Sequence, residues 1–61
     1  MDNYRAIGLA EGFIEAESHT EVVEAWQHLI DSGICWNLQG WFGRTAMQLI
    51  ERGICIPAKE K

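Results

Sequence analysis

The sequence predicts a mainly α-helical fold, a compact bundle of about three helices in a single small domain spanning residues 1–61. Three observations carry that prediction. Apolar side chains recur at helical spacing through Val22, Val23, Ala25, Trp26, Leu29 and Ile30. A helix-end pattern occurs twice, as Leu29-Ile30-Asp31-Ser32-Gly33-Ile34-Cys35 and again as Leu49-Ile50-Glu51-Arg52-Gly53-Ile54-Cys55. Finally, 48% of the 61 residues are hydrophobic and three are tryptophan, so the chain has the apolar content of a folded domain. A chain this short buries only about 60% of its unfolded surface, so its core has to be dense or supplemented by a partner.

The N-terminal segment reads as a short helix through Glu11, capped by Asp2 or Asn3, with Tyr4, Ile7 and Ala10 inward and Gly12 as its stop. An extended Tyr4–Leu9 strand is the alternative, and Gly8 suits neither conformation well. The next helix is the clearest element. Ser18 or Thr20 can cap it, Ser18-His19-Thr20-Glu21 has capping-box spacing, and the helix runs from Glu21 to Ser32. Gly33 then closes it in the left-handed conformation, and Ile34 can fold back onto the last turn.

A third helix runs from Gln39 or Trp41 to Arg52, with Phe42, Ala46, Leu49 and Ile50 inward and Gly53 as its stop. Gly40 and Gly43 weaken its first turns by up to about 1 kcal/mol each, which is tolerable where a ring or backbone approaches closely. Asn37 can cap a short turn before it. The segments after the two stops, Ile34–Trp36 and Ile54–Ile56, can pair as a very short two-stranded ribbon. Residues 57–61, with Pro57 and a polar end, read as a frayed tail.

Charge is distributed very unevenly. Between Arg5 and Arg44 there is no lysine or arginine, yet Glu11, Glu15, Glu17, Glu21, Glu24 and Asp31 all fall there. At about 100° per residue, Glu21, Glu24, His28 and Asp31 share an arc of about 80° opposite the apolar side, and Glu17 extends it if the helix starts earlier. Such carboxylates stand about 4.5 to 15 Å apart along the axis, comparable with phosphates repeating every ~3.4 Å per strand. A one-sign field steers particular partners. Solvated acidic faces are also common, and the total absence of lysine and arginine from this stretch tips the reading toward a binding surface.

The run Trp36-Asn37-Leu38-Gln39-Gly40-Trp41-Phe42-Gly43-Arg44-Thr45-Ala46, followed by Leu49-Ile50 and Gly53, resembles a group of short phage and prophage proteins with an LQGxxGRTA helix. In that group a WQHLIDSG-like stop precedes this helix, and Trp26-Gln27-His28-Leu29-Ile30-Asp31-Ser32-Gly33 matches it. The resemblance covers roughly residues 20–55. It implies a helical protein of phage origin and transfers no catalytic residues. In size and acidity the chain also resembles small anti-CRISPR inhibitors, those of type I effector complexes in particular.

Other chemistries find less support. Cys35 and Cys55 with His19 and His28 supply a zinc inventory without the usual C-x₂₋₄-C spacing, so both cysteines read as small buried hydrophobes. His28 lies near Glu24 and Asp31, but a solvated histidine is the commoner outcome, and no catalytic constellation or cofactor motif stands out. Arg44 reads as a structural partner for a carboxylate of the preceding helix. Trp26 and Trp36 are assigned to the core, and Trp41 to either core or interface.

A net charge of −4 disfavours direct binding to nucleic acid or to anionic lipid. No apolar run approaches the ~20 residues of a membrane helix. With no export signal apparent and two cysteines, a cytoplasmic location in the host cell is expected.

The expected function is therefore noncatalytic. The acidic residues would mimic DNA and block the basic groove of a host nucleic-acid-binding defence protein, such as a CRISPR effector subunit. The alternative is a small homodimeric assembly module using Gly40, Trp41 and Phe42. A helix-turn-helix protein that binds DNA itself fits poorly, because both long helices lack basic faces.

Overall fold

The computed structural model describes residues 1–58 and contains three α-helices: α1 (Asn3–Glu11), α2 (His19–Ser32) and α3 (Gly40–Glu51). A 3₁₀ turn, Ile34–Asn37, joins α2 to α3. Each start follows from local chemistry. Asp2 caps α1 by accepting the Arg5 N–H at 2.7 Å, and Ser18 caps α2 by accepting the Glu21 N–H at 3.3 Å. The helix therefore begins at His19, slightly before Glu21.

The two repeated stops resolve differently. After α3, the Gly53 N–H bonds to the Ile50 carbonyl at 3.1 Å and the Ile54 N–H to the Leu49 carbonyl at 3.0 Å, which is the complete Schellman pair. After α2, the Gly33 N–H reaches the Ile30 carbonyl, but the Leu29 carbonyl accepts from the Ser32 hydroxyl instead. That hydroxyl in turn accepts the Ile34 N–H at 3.4 Å. Arg52, the equivalent residue in the second copy, has no short hydroxyl to intervene. The first copy thus continues into the 3₁₀ turn, and no strand forms among the described residues, so the ribbon expected from the two segments is absent.

α1 packs along α2, and the 3₁₀ turn packs against both α2 and α3. The core comprises Ala6 and Leu9 of α1, Ala25, Trp26, Leu29 and Ile30 of α2, Phe42 and Ala46 of α3, and the two cysteines. Trp26 tilts against Phe42 with ring centroids 5.8 Å apart, so large rings fill the space between α2 and α3. No polar or charged side chain is buried among the described residues.

α1 is rotated from its expected orientation. Ala6 and Leu9 point inward, Ile7 and Ala10 are half-buried, and Tyr4 is 83% exposed. The cause is that α1 enters the core through Ala6 and Leu9 as it packs on α2. A Cβ on Gly8 would lie 2.6 Å from Ile14 Cδ1, so the bare backbone is what lets the α1–α2 connection fold over the helix. The Ile14 N–H bonds to the Gly8 carbonyl at 3.1 Å and holds that fold in place. Of the expected frayed tail, Pro57 and Ala58 are exposed, and the remainder lies outside the described residues.

Candidate functional site

The acidic residues divide into groups with different environments. Glu11 ends α1, Glu15 and Glu17 lie in the connection to α2, and Glu21 sits in the first turn of α2. These four gather where α1 runs into α2. Glu24 lies one turn further along, and Asp31 stands at the far end of α2, about 15 Å from Glu21 along the axis. Glu11, Glu15, Glu17, Glu24 and Asp31 are exposed, whereas Glu21 is half-buried.

Glu21 is engaged within the molecule. Its Oε1 accepts the Glu17 N–H at 3.1 Å, and its Oε2 pairs with Arg5 Nη2 at 3.0 Å. This is a capping-box variant in which the carboxylate reaches the residue before the cap. The Glu17 N–H, and then Arg5, hold the Glu21 carboxyl below its ordinary pKa of 4.5. Asp31 Oδ1 accepts from Gln27 Nε2 at 3.0 Å. His28 bonds Asn3 Oδ1 through Nε2 at 2.8 Å, and no hydrogen bond among the described residues joins it to Glu24 or Asp31. The α2 stripe is therefore interrupted: the start of α1 lies over Glu21 and His28, positions that helical periodicity alone placed in solvent.

Arg44 forms no ion pair with α2 among the described residues, and Arg5 makes the bridge to α2 instead. The two cysteines are buried, and burial raises both thiol pKa values, with Asp31 adding to the rise at Cys55. No three metal-ligating side chains come together among the described residues.

A second surface lies on the opposite half of the sequence. The 3₁₀ turn sends Cys35 into the core and Trp36 outward, so Trp36 is 49% exposed where burial was expected. Phe42 takes the place beside Trp26 and is buried, which removes it from the expected Trp41-Phe42 surface. Trp41 is partly exposed. It stacks on Phe42 at 3.9 Å and donates its indole N–H to Gln39 Oε1 at 3.2 Å. Trp36 lies over Gly43, whose absent Cβ would stand 3.4 Å from the ring, so this glycine in α3 makes room for an aromatic neighbour. Trp36, Leu38, Gly40, Gly43, Arg44 and Met47 line an open groove of about 360 Å³. Sequence reasoning missed this groove. Its one available signal was the pair of glycines opening an amphipathic helix beside two tryptophans.

Residues 8–60 match the family described as a domain of unknown function (DUF7417). The chain belongs to this family. The matched stretch includes all six acidic residues and the whole groove. No curated protein and no solved structure matches the chain. Among the described residues, no helix is long and apolar enough to cross a membrane.

Proposed function

We propose that the protein is a noncatalytic, phage-encoded inhibitor of the anti-CRISPR kind, acting in the host cytoplasm. Its acidic surface competes with DNA for the basic groove of a host defence protein, for example a subunit of a type I CRISPR effector complex. The observation that carries this reading is the charge field between Arg5 and Arg44, which contains six carboxylates and no lysine or arginine. Five of the six are exposed. Carboxylates of this kind can accept charge-assisted hydrogen bonds from arginine and lysine side chains that otherwise hold phosphates.

The roles within the field are unequal. Glu11, Glu15, Glu17 and Glu24 present free carboxylate edges, because no ion pair engages them among the described residues. Asp31 keeps one oxygen for a partner. Glu21 adds charge while holding Arg5 and the start of α2 in place. The test is DNA binding by a purified type I effector complex with and without the protein, at low and physiological salt. The expected result is inhibition that weakens with salt and is lost in the Glu15→Lys/Glu24→Lys variant, with its helical circular dichroism intact. Full inhibition by that folded variant would refute the mimicry mechanism.

A second reading, a homodimeric assembly module, draws on the partly exposed Trp41 and on the exposed Trp36 and Met47 of the groove. Light scattering on the isolated protein separates the two: a stable, salt-tolerant dimer favours assembly.

A further inference from the structure

The groove between the 3₁₀ turn and α3 has a specific chemical character. Trp36 and Met47, at 49% and 53% exposure, line it together with Gly40 and Gly43, and Arg44 is the one cationic group lining it among the described residues. An apolar groove with a single cation selects an apolar side chain that has a carboxylate close beside it. The same chain carries such a segment. In the α1–α2 connection Phe13 is 84% exposed, flanked by Glu11 and Glu15, with Glu17 beyond. Isolated exposed apolar residues are ordinary on protein surfaces. Here, however, the exposed ring and its acidic neighbours complement both features of the groove, and among the described residues neither is satisfied by its own molecule.

We propose that the groove receives the α1–α2 connection of a second copy, with Phe13 seated between Trp36 and Met47 and Glu11 or Glu15 meeting Arg44. The proposed association is head-to-tail, so a joined pair leaves one free groove and one free loop to which a further copy can add. A contact built on one ring and one ion pair belongs to the small, transient class of interfaces. Glu11 and Glu15 belong both to this contact and to the decoy surface, whereas Trp36, Arg44 and Met47 belong to this contact alone, so variants of the groove separate the two.

The test uses sedimentation velocity on the full chain from about 10 μM to about 1 mM, the range suited to a transient contact. The average mass is expected to rise above the 6.9 kDa monomer with concentration. Phe13→Ala removes the loop anchor, and Met47→Asp blocks the groove. Both side chains are exposed, so both variants are expected to keep wild-type circular dichroism. Each alone should remain at the monomer mass, whereas their equimolar mixture should form a one-to-one pair that grows no further.

Arg44→Glu supplies a second groove variant. It should lose self-association and recover it when mixed with a Glu11→Lys/Glu15→Lys chain. A wild-type protein that stays monomeric throughout would overturn the proposal. So would variants that associate as wild type does, or a mixture that stays monomeric while wild type associates. Phe13→Ala and Met47→Asp retain all six acidic residues, so their inhibition of DNA binding reports on the decoy reading separately.

Discussion

The side chain of Gln27 clamps the segment after α3, and its removal is expected to loosen the end of the fold. Its Nε2 donates to the Ile56 carbonyl at 2.8 Å, and its Oε1 accepts the Ile56 N–H at 2.9 Å. A side-chain amide thus pairs with a backbone amide in both directions, much as a neighbouring strand would. The adjacent Cys55 is almost fully buried against α2, so the clamp holds a core residue in place. Gln27 is half-buried and Ile56 exposed, so water can replace the lost partners and no burial penalty is added.

The two bonds to Ile56, at about 0.5–1.5 kcal/mol each, give roughly 1–3 kcal/mol for Gln27→Ala. In a domain of this size that corresponds to a fall in Tm of roughly 4–24 °C. Gln27→Glu is expected to lose more at neutral pH. A carboxylate cannot donate to the Ile56 carbonyl, and it would face Asp31, which now accepts from Gln27. That extra loss should shrink as the pH falls. Thermal unfolding by circular dichroism measures the stability, and mass spectrometry of labelled peptides measures Cys55 reactivity, which should rise in both variants. A Tm within about 1 °C of wild type, with Cys55 labelling unchanged, would refute the clamp.

Two further predictions concern the helix boundaries. The depressed pKa of Glu21 means that its stabilising contribution is present above the unfolded value, near the ordinary 4.5, and is lost as pH falls through the lower folded value. Glu21→Gln should therefore be less stable than wild type at pH 7 and show a shallower acid limb in urea midpoints; an unchanged acid limb would remove Glu21 from the cap. Gly33 sits at φ +80° with nothing within 4 Å of a built Cβ, so Gly33→Ala should cost about 1–2 kcal/mol from backbone conformation alone. Gly33→Asn should cost less in the same denaturation assay, since asparagine tolerates the left-handed region better.

Much of the fold was legible along the chain because its signals are local. The caps at Asp2 and Ser18, the stops at Gly12, Gly33 and Gly53, and the apolar face of α2 each depend on residues within a turn or two. Phe42 and Ala46 were likewise placed inward by period alone. The misreadings arose where a distant segment intervened. Tyr4 fits an inward helical position, but α1 enters the core through Ala6 and Leu9 as it packs on α2, which leaves Tyr4 exposed. Trp36 has the bulk of a core residue, yet the hydroxyl of Ser32 redirects the chain into a 3₁₀ turn and Cys35 takes the inward place.

The candidate surfaces divide in the same way. Composition and order alone determine that every lysine and arginine lies outside residues 6–43. Tertiary structure decided which carboxylates keep free edges, since Arg5 reaches Glu21 across 16 residues. It also decided that Trp36, Arg44 and Met47 meet around one groove. Covalent order fixes charge and local backbone preference, because both act over a few residues. Pairing and exposure depend on which distant surfaces exclude water together, and only the packed chain settles that.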